Sequence, residues 1–307
     1  MAKILVTGGA GFIGSHVADV YLAAGHEVVI ADNLSSGARR NVPAQAMFYE
    51  VDIRSGELQN LLAQERPEIV NHLAAQIDVR KSLQDPKYDA DTNILGSINL
   101  LEACVKQGVR KFLFASTGGA IYGEPEHLPA SEQTPSAPLS HYGVSKYCVE
   151  QYIRLYSRMY GLSYTILRFP NVYGPRQSPH GEAGVCSILA GKMLQGETPV
   201  LYGYGAPLRD YVYVGDIAQG ALLALEKGDG EILNLGSGRG ASVRELFDIL
   251  KEFTGFQGEP ALAPLRPGEV ERIYTTGGRA REVLGWSPRT DLREGLRLTL
   301  EFIRAHP

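Results

Sequence analysis

The sequence predicts an α/β protein built on a doubly wound parallel sheet, and three observations carry that prediction. Through the first half, apolar runs of strand length alternate with helix-length periodic segments. The runs are continuous rather than alternating, as strands covered on both faces are. A glycine-rich turn joins the first run directly to the first helical segment.

Lys3–Val6, Glu27–Ala31, Met47–Tyr49, Ile69–His72, Lys111–Ala115 and Ser163–Leu167 read as strands, rich in Val, Ile, Leu and Phe. Phe12–Ala24, Ser55–Glu65, Asp91–Gln107 and Tyr142–Tyr160 read as the helices between them. Gly25 and Gly108 stand where helix ends need a left-handed residue. Right-handed β-α-β units then build the doubly wound sheet. Past Arg168 the pattern breaks up, with Pro170, Pro175, Pro179, Pro199, Pro207, Pro264 and Pro267 marking long loops. Tyr211–Val214 and Ile232–Leu235 are two further strand-like runs, expected to return to the sheet or extend it. The expected division is a dinucleotide-binding domain over 1–167, with returning segments near 205–237, and a smaller interleaved α/β substrate domain over 168–307.

A chain of 307 residues, 44% hydrophobic, buries a large core without staples. A net charge of −4 argues against nucleic-acid or anionic-membrane partners. No run of about 18 apolar residues exists to span a bilayer. The start runs straight into a strand and does not read as a signal peptide. Cys104, Cys148 and Cys186 lie far apart without metal-ligand spacing and read as reduced, buried small residues. No metal and a cytoplasmic setting are expected.

Thr7-Gly8-Gly9-Ala10-Gly11-Phe12-Ile13-Gly14 lies between the first strand and the first helix. Gly8 permits the tight turn, Gly11 lets backbone approach a pyrophosphate, and Gly14 lets the helix pack on the strand. The helix start adds free amides and partial positive charge. Asp32 closes the second strand, where a carboxylate accepts from ribose hydroxyls and repels a ribose phosphate. That favours NAD over NADP (Rossmann-type binding), with Arg39 and Arg40 as the nearby cations that could accept such a phosphate instead.

Tyr142 and Lys146, at i and i+4, share one face of a predicted helix. A free tyrosine ionises near pH 10, and lowering that by about three units takes roughly 4 kcal/mol. One ammonium at about 4 Å in an effective dielectric near 20 supplies about that much. The pair therefore reads as an acid/base with its electrostatic partner, and an oxidised nicotinamide would add to the positive potential.

The glycine spacing, the Tyr-x-x-x-Lys and their order resemble the short-chain dehydrogenase/reductase family, extended branch, and within it the NAD-dependent nucleotide-sugar epimerases, over nearly the whole chain. The resemblance implies that the Phe12 and Ile13 amides bind the pyrophosphate and that Asn33, Ser36 and Gly37 line the ribose. It implies Asp52 and Ile53 at the adenine, with Leu73, Ala74, Ala75, Gln76, Asn93 and Ala115 around the rest of the cofactor. It also implies a catalytic hydroxyl about 25 residues before the tyrosine, which is the offset of Thr117, with Ser116 as its neighbour and alternative. Dehydratases of this family carry acids just after that threonine, for which this chain has Gly118 and Gly119. Elimination needs that extra proton donor and base, so oxidation followed by re-reduction is expected. A simple 4-keto reductase stays open.

On the substrate side the resemblance implies Pro170 at the nicotinamide, Asn171 on a phosphate, and Arg209 and Arg266 as a diphosphate clamp. It implies Val200 and Tyr202 near the base, with Asp216 ordering the intervening loop. The implied reaction interconverts UDP-glucose and UDP-galactose through a 4-ketone. A thymidine base and glucuronate or N-acetylglucosamine sugars stay open. Ile273, where some relatives have a sugar-narrowing tyrosine, implies room for an acetamido group, unless Tyr274 fills that space. A homodimer is expected through a four-helix bundle to which Tyr147, Tyr152, Leu155, Tyr156 and Met159 would contribute.

Overall fold

The structure, a computed structural model, describes residues 1–178, 184–266 and 269–306. The predicted Pro179 and Pro267 loop positions lie outside the described residues. In chain order the strands are β1 (Lys3–Thr7), β2 (Glu27–Asp32), β3 (Met47–Glu50), β4 (Ile69–His72), β5 (Lys111–Thr117), β6 (Ser163–Phe169), β7 (Asn171–Tyr173), β8 (Val200–Tyr202), β9 (Leu208–Arg209), β10 (Tyr211–Tyr213), β11 (Glu231–Asn234), β12 (Ala241–Ser242), β13 (Ala261–Ala263) and β14 (Arg272–Ile273). The helices are α1 (Phe12–Ala23), α2 (Glu57–Glu65), α3 (Val79–Gln84), α4 (Pro86–Ala90), α5 (Gly96–Gln107), α6 (His141–Tyr160), α7 (Val185–Leu194), α8 (Val214–Ala224), α9 (Val243–Thr254), α10 (Gly278–Leu284) and α11 (Leu292–Ala305).

Seven strands form one sheet in the order β11-β6-β5-β4-β1-β2-β3, with every pairing parallel. The six strands predicted in the first half are all present. The helix read over Asp91–Gln107 divides into a π-helical turn at Asp91–Leu95 and α5. Gly25 and Gly108 adopt φ of +83° and +69°, as helix C-termini require. Of the two later runs, β11 joins the sheet at its β6 edge. The Tyr211–Val214 run does not: β10 pairs with β7 in a separate two-stranded ribbon, and Val214 already opens α8. A run of apolar residues says that a strand is buried, not which partner it finds.

Both faces of the sheet are covered. Ile4, Val6, Val17, Tyr21, Leu113 and Leu167 pack with residues of α8 and α10 and with Trp286. Leu5, Val70, Leu100, Phe112, Ile153 and Ile166 form the opposite core with α2, α5 and α6. A third core brings α7, α9 and α11 together over Tyr173, Leu201 and Tyr211. Asp216 links regions: its carboxylate accepts from the Thr290 amide at 3.0 Å and its carbonyl from the Trp286 indole at 2.8 Å. No helix among the described residues is long and apolar enough to cross a membrane. Also among these, no group of three or more His, Cys, Asp or Glu could hold a metal.

One buried ion pair fastens α6 to the sheet. Arg168 on β6 donates from Nε and Nη2 to the two carboxylate oxygens of Glu150, at 2.9 and 2.6 Å. Glu150 is 0% exposed and Arg168 4%. The guanidinium also reaches the Tyr122 hydroxyl at 2.8 Å, which donates to Asn234 on β11 at 2.8 Å. Replacing one partner strands the other charge. Arg168→Met should therefore cost about 3–5 kcal/mol, and the double replacement with Glu150→Met should cost less than the single one. Urea-unfolding midpoints check this; a single variant as stable as the parent would contradict it.

Candidate active site

The carboxyl ends of the strands open into one cleft of about 840 Å³. It begins where the strand order reverses, between β1 and β4, the place where open α/β sheets bind ligands. Gly8 turns the chain out of β1 at φ +72°, and a Cβ there would stand 2.7 Å from the Ala74 amide nitrogen. A Cβ on Gly14 would sit 2.1 Å from the Gly8 carbonyl oxygen. α1 begins after Gly11 with no side-chain cap, so its first-turn amides at Phe12 and Ile13 face the cleft without a competing side chain.

Asp32 ends β2 and lines the cleft. Its carboxylate accepts from the Ala10 and Leu34 amides, at 3.0 and 2.8 Å, and burial pushes its pKa up. Those bonds fix the carboxylate between glycine turn and ribose loop. Asn33, Ser36, Asp52, Ile53, Leu73, Ala74, Ala75, Gln76 and Ala115 also line the cleft. Asp52 is held by Arg54 through a hydrogen-bonded ion pair and accepts from Asn33 at 2.9 Å; the guanidinium is the main reason its carboxyl lies well below the usual range. Neither Arg39 nor Arg40 is among the lining residues. The Arg39 guanidinium stacks instead over the Phe48 ring at 4.2 Å.

Two residues expected at the cofactor do not line the cleft. Gly37 lies against Ala10, where a Cβ would come within 3.0 Å of its carbonyl carbon; it packs the ribose loop on the glycine turn. Asn93 is 2% exposed and spends its side chain on the protein. It accepts from the Gln76 amide at 2.8 Å and donates to the Gln76 carbonyl at 2.9 Å and to Asp89 at 3.1 Å. Its reach is to the loop that floors the cleft.

α6 brings Tyr142 and Lys146 to the middle of the cleft, beside the end of β5. Ser140 caps this helix, accepting from the Gly143 amide at 3.1 Å. Thr117 and Tyr142 both line the cleft, near enough for the threonine hydroxyl to act on the phenol. Ser116 also lines the cleft, but its hydroxyl donates to Glu150 at 2.6 Å. Lys146 is 4% exposed, donates to the Ala115 carbonyl at 2.9 Å and lies over the Phe114 ring at 4.7 Å. Burial pushes its pKa down to about 8, against the charges of Asp89 and Glu150.

The expected depression of the Tyr142 pKa is not present in the protein alone. Burial, with the Asp89 charge second, holds the phenol above its ordinary range, and the Thr117 hydroxyl opposes this only in part. The sequence estimate counted the cation and omitted desolvation and the nearby anion. His72, beneath the cleft, is pushed down to about 3 by burial and by Lys146, and it bridges Thr7 at 2.7 Å and Ser97 at 2.8 Å as a neutral imidazole.

Farther along lie Pro170, Asn171, Val200, Tyr202, Arg209 and Arg266. Arg209 is held by the Leu208, Val270 and Glu271 carbonyls. Arg266 stacks over Tyr202 at 4.2 Å and is ion-paired with Glu269. The two arginines stand on separate segments at one end of the cleft. Gly119 lines it and Gly118 does not; a Cβ on Gly118 would meet Thr275 at 3.2 Å. Ile273 lies away from the cleft wall. It is 2% exposed and packs with Ile121, Tyr122, Ala130 and Val270, while the Tyr274 ring stands by Gly240. Neither lines the cleft. β14 pairs with β9, register Ile273 to Arg209, and the Ile273 side chain is packed inside the protein.

Sequence reading missed Tyr211. Its hydroxyl is buried without a hydrogen-bond partner among the described residues, and the residue lines the cleft. Its position two residues after Arg209 was the available signal, since i and i+2 share a strand face. Asp89 was missed too, and no local pattern marks it.

Residues 4–236 match the NAD dependent epimerase/dehydratase family. A putative UDP-glucose 4-epimerase of Methanocaldococcus jannaschii is 50% identical over 301 residues, 98% of each chain. The structure resembles the UDP-glucose 4-epimerase of Thermotoga maritima with UDP-glucose, at a TM-score of 0.97 and 50% identity over 99% of each chain. It also resembles a Thermus thermophilus UDP-glucose 4-epimerase in complex with NAD, at a TM-score of 0.95 and 45% identity over 99% of this chain and 100% of that one. On a family match across three quarters of its length and relatives aligned from end to end, this chain belongs to the NAD dependent epimerase/dehydratase family.

Proposed function

We propose that this chain interconverts UDP-glucose and UDP-galactose by transient oxidation at sugar C4. The observation that carries this reading is one continuous cleft. Its first part has the glycine cradle, bare helix start and Asp32 that fit NAD; its middle has Tyr142, Thr117 and Lys146; its far end has Arg209 and Arg266. Relatives of this name align over the whole chain, one of them bound to UDP-glucose and one to NAD. NAD is the cofactor. When bound it accepts two electrons from the sugar and returns them, and in its oxidised form it brings a positive charge into the cleft.

The chain's own residues do the rest. Tyr142 takes the proton of the C4 hydroxyl and later gives it back. Thr117, beside Tyr142, holds the sugar hydroxyl and relays the proton; Ser116 is committed to Glu150 and orders the strand end. The positive charge of bound NAD would supply the depression of Tyr142 that the protein alone, Lys146 included, does not. Asn171, Arg209 and Arg266 hold the diphosphate while the ketone turns its other face. The Gly118-Gly119 pair offers no acid or base for elimination, which supports epimerisation over dehydration. In this reading residues 1–167 and the returning segments hold the cofactor, 168–307 hold the nucleotide sugar, and the protein works in the cytoplasm.

Three outcomes are expected. Tyr142→Phe should keep bound NAD and fold while losing about 10²–10⁴ in turnover of UDP-galactose; product chromatography at near-parental rates would sink the assignment. Lys146 is an ammonium below its folded pKa of about 8 and neutral above it, so kcat should fall as pH rises through about 8. The pH–rate profile checks this, and a plateau continuing to pH 10 would count against it. The protein should also be a homodimer. Tyr147, Leu155, Met159 and Tyr160 on α6 and Leu95 beside α5 are exposed, and such apolar surface marks an interaction site. Sedimentation as a monomer at micromolar concentration would end that idea.

A further inference from the structure

Asp89, near the end of α4, is 0% exposed and accepts three hydrogen bonds from three different elements. Gln76, in the loop that floors the cleft, donates from Nε2 at 2.9 Å, and Asn93, in the π-helical turn, from Nδ2 at 3.1 Å. Ser145 on α6 donates from Oγ at 2.6 Å. Ser145 lies in sequence between Tyr142 and Lys146. The carboxylate thus ties cofactor loop to catalytic helix at the turn that carries both reacting groups.

Its charge matters as much as its bonds. Lys146 is buried against two carboxylates, Asp89 and Glu150. Glu150 is already matched by the bidentate Arg168, so much of its field is cancelled. The three donors on Asp89 are neutral, and its charge is left to act on Lys146. Other charged groups on the elements around α6 are engaged elsewhere. Asp78 caps α3, Lys81 lies over Tyr88, Asp91 pairs with Arg54, and Glu102 accepts from Tyr156. Arg80 lines the cleft, and His72 on β4 is neutral.

We propose that Asp89 is the positioning residue of the catalytic pair: it fastens α6 to the cofactor loop and supplies the negative charge against which Lys146 is held as an ammonium. This rests on the roles given above to Tyr142 and Lys146. A carboxylate there also opposes ionisation of Tyr142, so the site trades a harder phenol for a charged lysine. That trade is favourable where the lysine must stay charged in the same cavity as an oxidised, positive cofactor.

The test uses the NAD-loaded enzyme, with Asp89→Asn and Ser145→Ala compared over a pH series. Asp89→Asn keeps the shape and removes the charge. It should lower kcat about ten- to a hundredfold with the KM for UDP-galactose nearly unchanged, a split that marks lost transition-state stabilisation. The alkaline limb of the kcat profile should move down by about one pH unit or more, as loss of a nearby opposite charge requires. A lowered kcat with an unmoved limb would overturn the charge role, leaving a merely structural residue. Ser145→Ala cuts the tie and keeps the charge. It should lower kcat severalfold and leave the limb in place; should Asp89→Asn fail to fold, a Ser145→Ala enzyme with parental kcat overturns the proposal. Parental enzyme that epimerises UDP-galactose, loses that activity in Tyr142→Phe, and is matched by Asp89→Asn throughout would refute Asp89 alone. Parental enzyme with no epimerase activity would refute the functional reading instead.

Discussion

A lysine ammonium with 4% exposure is the constraint around which this site is arranged. Stripped of water, the cation is stable only if anions and carbonyls replace its solvation. The Ala115 carbonyl provides one contact and the Phe114 ring face another. Asp89 and Glu150 provide charge. Each carboxylate then needs partners of its own: Glu150 recruits Arg168 and Ser116, and Asp89 recruits Gln76, Asn93 and Ser145. Following those partners outward reaches β5, β6, α4, the π-helical turn and the cofactor loop. One buried charge therefore organises the floor of the cleft.

The sheet decides where that charge sits. Because β1 and β4 adjoin while their crossovers leave to opposite faces, the carboxyl ends part there and the glycine turn can drop into the gap. β5 and β6 continue the parallel order, so Thr117 at the end of one and Pro170 just after the other follow along the same rim. α6 packs on that side and delivers Tyr142 to Thr117. Thr117 and Tyr142 adjoin because β5 ends beside the first turn of α6.

What was legible in the sequence follows from range. The glycine turn, Asp32 and the Tyr142–Lys146 pair depend on spacing within a few residues or on a strand end, and local geometry reads both. The separate pairing of β10, the inward turn of Ile273 and the use of Asn93 on protein rather than cleft depend on partners far along the chain. The Tyr142 phenol is the clearest case. Its cation lies one helical turn away and could be counted, but Asp89 is 53 residues earlier and enters only through the fold. Sequence spacing revealed the attractive charge and hid the repulsive one.

The proposed reaction requires the sugar to be held less firmly than its diphosphate. Arg209 is fixed by three carbonyls and Arg266 is stacked on Tyr202 and paired with Glu269, which orients the two guanidinium groups proposed to hold the diphosphate. In the middle of the cleft Gly119 and Ala120, next to Thr117 in sequence, line it without long side chains. In the proposed mechanism the ketone has lost the C4 hydroxyl through which Tyr142 and Thr117 would hold it, while Asn171, Arg209 and Arg266 would keep its phosphates. The sugar can then turn about the diphosphate with little to break, and either face can be reduced. A site that gripped the sugar as firmly as the phosphates would return the hydrogen to the face it came from.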